Sequence, residues 1–135
     1  MGQILEFVAA YMGYLWPEAR FRITDSDVTQ HNGNNSMLTI ESDLLRLRLE
    51  TDRRQLFLDF QPAETDRPKD WYSVEIVRRF FRGASEPSGL LDESFAAFVG
   101  EYLDDIEDHF SPARWEETRT ALKELERKRS KEMWG

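Results

Sequence analysis

The sequence has 135 residues, of which 40% are hydrophobic and 13% aromatic, which is enough for one domain with a buried core. It contains no cysteine, which excludes disulfides, a zinc–cysteine site and a thiol nucleophile, and makes a reducing cytoplasm the expected compartment. The net charge of −8 argues against nucleic acid or an anionic membrane as the main partner. The first residues include Glu6 and no basic residue, so we expect no signal peptide.

The first predicted element is a helix over residues 3–15. Its apolar residues recur at helical spacing, and Pro17 ends the pattern. The helix has no cationic face of the kind that lies on a membrane surface, so we interpret it as a core helix. The residues expected on its buried side are Ile4, Leu5, Val8, Tyr11, Met12 and Leu15.

Two strands are predicted next, over residues 20–28 and 37–41, with Phe21 and Ile23 facing inward. They are the first half of an expected four-stranded antiparallel meander. The linking segment contains Asn32-Gly33, a favourable turn sequence.

A strict two-residue turn at that dipeptide would put Asp25 and Asp27 on the same face as Leu38 and Ile40. Burying two carboxylates beside apolar side chains is unfavourable. We therefore expect a wider loop or a β-bulge.

The clearest strand pattern runs from Leu44 to Phe60 and predicts a hairpin that turns at Asp52-Arg53. One face is then apolar and needs a covering layer of helices. The pairs expected on that face are Leu49 with Leu56, Leu47 with Leu58, and Leu45 with Phe60. The pairs expected on the solvated face are Arg46 with Asp59, and Arg48 with Phe57.

Three helices are predicted after the sheet. The first covers residues 71–82, with Asp70 as its cap, Gly83 as its end, and Ile76, Val77, Phe80 and Phe81 inside. The second covers residues 92–110, with one apolar stripe of Phe95, Val99, Tyr102, Leu103, Ile106 and Phe110. The third opens at Ser111-Pro112 and buries Trp115, Leu122 and Leu125, and residues 126–135 are expected to fray.

The helix over residues 92–110 contains seven acidic side chains and no lysine or arginine, while the rest of the chain is close to balanced. Four of its acids lie opposite the apolar stripe: Glu101, Asp104, Asp105 and Asp108. Like charges at this spacing, and carboxylates near a helix C-terminus, both destabilise a helix. Because local rules broken together often mark function, we predict that these acids bind a cationic partner.

A structural interpretation of the same acids stays open. The tight link at Ser111-Pro112 can fold the last helix back along the acidic one. The acids would then form a seam of surface salt bridges with three basic residues of the last helix, namely Arg114, Arg119 and Lys123.

A metal-dependent hydrolase is a second alternative. Oxygen and imidazole ligands suit manganese or iron, and four such residues share one helical face: Glu101, Asp105, Asp108 and His109. A site of this kind needs matching ligands from other helices, and the only other histidine, His31, lies in a separate polar loop. That histidine is a candidate general base, although loop histidines are more often only polar.

A self-associating structural subunit is a third alternative. Trp134 lies beside Met133 with no apolar partner in its own helix, which suits contact with a second copy.

A group of arginines is predicted on the first helix after the sheet. Arg78, Arg79 and Arg82 lie near Trp71 and Tyr72, a combination found at protein contacts. We expect them at such a contact or paired with the acidic helix.

A short acidic chain that runs from a helix to a small antiparallel sheet and then to further helices resembles the immunity proteins of bacterial toxin systems. The resemblance spans the chain but rests on layout and charge, so no residue role is transferred. It implies a small inhibitor dedicated to blocking a toxin domain.

We predict a single α+β domain over residues 1–135, with an N-terminal helix, a four-stranded antiparallel meander and three C-terminal helices on one face of the sheet. The predicted function is a non-enzymatic, cytoplasmic protein-binding module that inhibits a basic toxin or nuclease. No catalytic residue, metal or cofactor is assigned. The predicted contact residues are Glu101, Asp104, Asp105 and Asp108.

Overall fold

The computed structural model describes residues 1–29 and 35–134, which form an α+β fold as predicted. Helix α1 (Gly2–Tyr11) is followed by two short 3₁₀ turns (Gly13–Leu15 and Pro17–Ala19). The antiparallel sheet has the order β1-β2-β3-β4-β5. Its strands are β1 (Arg22–Thr29), β2 (Asn35–Glu41), β3 (Leu45–Asp52), β4 (Gln55–Pro62) and β5 (Tyr72–Ser73), and the helices after it are α2 (Val74–Arg82), α3 (Glu93–His109) and α4 (Trp115–Trp134). The two-residue β5 was not predicted.

The core lies between the helices and one face of the sheet, which we name the inner face; the opposite side is the outer face. Side chains alternate between these faces along each strand. The inner face contributes the buried residues Leu38, Ile40, Leu45, Leu47, Leu49, Leu56, Leu58 and Phe60. The helices contribute Ile4, Val8, Ile76, Val77, Phe95, Val99, Ile106 and Leu122. Within the described residues, no helix combines the length and apolarity needed to cross a membrane.

The hairpin of β3 and β4 has the predicted apolar face but not the predicted register. Its turn is Arg53-Arg54 instead of Asp52-Arg53, and both arginines have positive φ, at 51° and 68°. The partners therefore shift by two residues. Because side chains alternate with a period of two, the shift leaves the same residues buried. The observed pairs are Leu49 with Leu58, Leu47 with Phe60, Leu45 with Pro62, Arg48 with Asp59, and Arg46 with Gln61.

Strand β1 is the edge of the sheet, and all its residues are exposed. Ile23 lies opposite Ile40 on the inner face, yet it is 52% exposed. Ile23 therefore faces inward as predicted but is not buried, because the helical layer leaves this edge uncovered. Phe21, just before the strand, is buried as predicted.

The expected irregularity between the first two strands is a β-bulge. The register shifts between Ile23 and Asp25, so that Asp25 pairs with Thr39 and Asp27 pairs with Met37 on the outer face. Neither carboxylate faces the core, so the bulge avoids the unfavourable burial that a strict two-residue turn would cause. The predicted Asn32-Gly33 turn and His31 lie outside the described residues.

Helix α1 is shorter and narrower than predicted. It buries Ile4 and Val8, while Leu5 and Tyr11 are 46% and 44% exposed. A short helix on a single layer buries only a narrow stripe, so the flanking apolar residues stay in solvent. Leu15 is buried as predicted, but from a 3₁₀ turn.

Helix α2 begins three residues later than the prediction. Ser73 is its cap, and its hydroxyl accepts from the backbone N–H of Ile76 at 3.4 Å. Asp70 cannot serve, because Tyr72 and Ser73 pair with β4. The helix ends as predicted at Gly83, whose φ of 76° suits a residue without a side chain.

Residues 126–134, which the sequence predicts to fray, lie in α4, since this helix continues to Trp134. Two contacts attach this part of α4 to α2: Arg129 pairs with Glu75, and Arg79 pairs with Glu132 at 2.6 Å. The hydrogen bond from Arg79 lowers the pKa of Glu132. The helix end is therefore held by charge pairs that an apolar pattern does not show.

Candidate functional site

Helix α3 presents the predicted acids to solvent. Asp92 caps its N-terminus, and the Asp92 side chain accepts from the backbone N–H of Phe95 at 2.9 Å. Its apolar stripe is buried, with Tyr102 only partly so, and this turns the opposite side of the helix outward. The four acids on that exposed side are Glu101, Asp104, Asp105 and Asp108.

Three of the four acids touch one arginine each, and each arginine comes from a different part of the chain. Arg20 lies 2.7 Å from Asp104, Arg114 lies 2.5 Å from Asp108, and Arg82 lies 3.7 Å from Glu101. The acids remain open to water, with 68% of the Glu101 side chain, 90% of Asp104 and 58% of Asp108 exposed. Among the described residues, Asp105 has no ion pair.

The predicted salt-bridge seam with the last helix is confined to one contact. Arg114 pairs with Asp108, and the hydrogen bond that Arg114 donates to this carboxylate raises the pKa of Arg114. Arg119 makes no ion pair with any described residue. Lys123 pairs with Glu126 at 3.7 Å and lies 5.2 Å from the centre of the Tyr72 ring. The seam is therefore not the structural explanation of the α3 acids.

Glu107 is the acid of α3 that has a structural role, and the sequence analysis did not single it out. It is buried, and it pairs with Arg20 while it accepts from the Ser42 hydroxyl at 2.5 Å. Ser42 Oγ in turn accepts from the backbone N–H groups of Leu44 and Leu45. This network ties the turn between β2 and β3 to the C-terminal half of α3.

The loops that follow β2 and β4 bring two further carboxylates to the C-terminal end of α3. Asp43 follows Ser42, and with Glu64 it lines a cleft of about 90 Å³ whose apolar wall includes Phe110, at the end of α3. We name the combined set the acidic surface: Asp43, Glu64, Glu101, Asp104, Asp105 and Asp108. Sequence spacing could not reveal Asp43 and Glu64, because tertiary contacts bring their loops to the end of α3.

The structure does not support the metal alternative. Nδ1 of His109 lies 2.9 Å from the backbone carbonyl oxygen of Asp105, and its ring packs edge-on against Phe80 and Phe81 at 5.3 and 5.1 Å. In residues 1–29 and 35–134 no group of three or more histidine, aspartate or glutamate side chains is arranged to hold a metal ion.

The arginines of α2 mostly pair within the molecule. Arg78 donates to both oxygens of Glu86 at 2.7 and 2.6 Å and stacks on Phe95, and the hydrogen bond to Glu86 raises its pKa. Among the described residues, Arg82 is the only one of the three that forms an ion pair with an acid of α3, namely Glu101. At the far end of α4, Trp134 is 82% exposed.

In comparisons with known proteins, no family model, curated protein or solved structure matches this chain. The function is therefore inferred from the acidic surface and its chemistry.

Proposed function

We propose that this protein is a non-enzymatic binding module that engages a basic protein through the acidic surface, and that the partner is a toxin or nuclease domain that it inhibits. The observation that carries the proposal is the exposure of the four α3 carboxylates. They stay in water although the fold supplies arginines beside three of them.

The positions of these acids destabilise α3. Asp104, Asp105 and Asp108 lie in its last two turns, where the helix dipole disfavours anions, and they repel one another at three- and four-residue spacing. A partner that brings positive charge removes both penalties. Concentrated negative potential also speeds encounter with a basic surface and disfavours acidic competitors.

The layout of the molecule supports the choice of partner. A small acidic domain with this order of elements resembles the immunity proteins of bacterial toxin systems, which block a toxin domain. The lack of cysteine fits a reducing cytoplasm. The acidic surface needs no chemical step to act, since covering a basic active site is enough to inhibit it.

The test compares two charge-reversal variants with the wild-type protein in a low-salt pull-down from a lysate of the source cells. Asp104→Lys/Asp105→Lys/Asp108→Lys changes the acidic surface. Glu116→Lys/Glu117→Lys/Glu124→Lys changes the net charge by the same amount on exposed positions of α4.

We expect a basic protein to be captured by the wild type and the α4 variant but lost by the α3 variant. The captured protein is then purified, and its affinity and activity are measured with each form. Equal capture by both variants, or equal loss, would show that the acids of α3 are not a specific site.

A further inference from the structure

The edge of the sheet has the features of a binding strand. All eight residues of β1 are exposed, and the inner-face residues Ile23 and Val28 are 52% and 49% exposed. Among the described residues, nothing pairs with the free edge of β1. Long uncovered edges carry unpaired N–H and C=O groups that accept a further strand, and most proteins shorten or cover them.

The two sides of β1 differ in chemistry. Ile23 lies opposite Ile40 on the inner face, and Val28 lies opposite Ser36 on the same face. The bulge after Ile23 places Asp25 and Asp27 on the outer face instead. An added strand would therefore meet apolar side chains on one side and carboxylates on the other.

The carboxylates of β1 differ from the other charges of the outer face. Further into the sheet, Arg48 contacts Asp59 at 3.0 Å and Glu50 at 2.9 Å, and Arg46 contacts Glu41 at 3.3 Å. Asp25 and Asp27 have no ion pair among the described residues. Three carboxylates of β2, β3 and β4 on the outer face are therefore paired with arginines of the sheet, whereas Asp25 and Asp27 at its edge are not, in the part of the chain that the structure describes.

We propose that β1 binds an extended segment of a partner protein by strand addition, and that this segment alternates lysine or arginine with apolar residues. The main-chain hydrogen bonds supply affinity, and the alternating side chains supply specificity. The basic side chains pair with Asp25 and Asp27 while the apolar ones cover Ile23 and Val28.

This inference goes beyond the proposed function, because it names a second surface and a mode of contact. The start of β1 lies near the acidic surface, because Arg20, which contacts Asp104 and Glu107 on α3, is two residues before it. One basic partner can therefore engage both.

A second copy of this chain is a worse occupant. Antiparallel pairing of two β1 strands about Ser26 sets Asp25 of one copy opposite Asp27 of the other, twice. Like charges directly opposite one another destabilise a sheet. Charge complementarity therefore selects a basic strand over self-pairing.

The test uses synthetic peptides as long as β1, with blocked ends: alternating Lys-Val, alternating Glu-Val, and a block peptide with the same lysines followed by the same valines. Binding to the wild-type protein is followed by calorimetry, and amide hydrogen exchange reports protection of β1. We expect the Lys-Val peptide to bind and protect β1, and the block peptide to bind ~10-fold more weakly.

Asp25→Lys/Asp27→Lys tests the charge pairing. We expect it to reverse the preference, so that the Glu-Val peptide binds ~10-fold better than the Lys-Val peptide. The triple lysine variant of α3 serves as the control and is expected to keep the Lys-Val preference. The proposed roles of β1 and of the α3 acids are therefore tested independently. Circular dichroism and solution mass verify that each variant is folded and show any self-association.

Three outcomes would overturn the inference. Equal binding of the alternating and block peptides would mean general charge attraction. Absence of protection in β1 would mean that Asp25 and Asp27 only guard an edge against aggregation. Concentration-dependent dimerisation of the wild type through protected β1 amides would assign the edge to a second copy.

Discussion

At the scale of single residues, Arg20 shows how burial separates structural from exposed carboxylates. It contacts both Glu107 and Asp104 on α3. The Glu107 side chain is 10% exposed and also accepts from Ser42, whereas the Asp104 side chain is 90% exposed. A buried group that loses its partners carries a desolvation penalty, while an exposed ion pair contributes little.

We therefore expect Glu107→Ala to lower the free energy of unfolding by about 2–3 kcal/mol, because it leaves the buried Ser42 hydroxyl without its acceptor and removes the buried partner of Arg20. Asp104→Ala, which removes the other carboxylate on the same arginine, should change it by less than about 0.5 kcal/mol. Urea unfolding of the two variants measures both. Equal losses would contradict the structural role of Glu107.

At the scale of elements, the hairpin shows what its sequence pattern could and could not predict. Alternation correctly placed the leucines of β3 and β4 on one face, because burial follows a period of two. It could not place the turn, because Arg53 and Arg54 both adopt positive φ. This conformation is sterically unfavourable for arginine, so the residue types did not indicate it. The tertiary fold selects the register here against the local preference of the turn residues.

This conflict predicts that Arg53→Asn/Arg54→Gly stabilises the protein. A two-residue turn with positive φ at both positions favours Asn-Gly, so the gain should be about 1–2 kcal/mol in the free energy of unfolding. The contact from Gln3 is kept, because it donates to the backbone carbonyl oxygen of Arg54. Arg54→Val is the matched control and should destabilise. A double variant no more stable than the wild type would contradict the turn geometry.

At the scale of the whole molecule, charge is distributed by segment and brought together by the fold. The excess of acids over residues 92–110 is visible in the sequence, and so is the face that bears Glu101 and Asp105. The addition of Asp43 and Glu64 is not, because it depends on tertiary contacts: Ser42 reaches Glu107 across 65 positions, and Glu64 shares a cleft with Phe110. The exposure of β1 could not be predicted either, because it depends on where the helical layer ends and not on the residues of the strand.

Two substitutions on α3 distinguish the effect of net charge on the free energy of unfolding from the effect of where the charge lies. Asp105→Lys and Glu93→Lys both change the net charge from −8 to −6 at exposed sites, but Asp105 lies near the C-terminus of the helix and Glu93 is its first residue. If position governs stability, Asp105→Lys should raise the free energy of unfolding by about 0.3–1 kcal/mol at low salt, and Glu93→Lys should lower it by a similar amount.

Chemical unfolding at low and high ionic strength measures this, and both effects should shrink as salt screens the charges. A gain from both substitutions would mean that overall repulsion, not the helix end, controls stability. A gain from Asp105→Lys alone, together with weaker capture of the basic partner, would show that this aspartate is kept at the expense of α3, the usual trade between stability and function at a binding site.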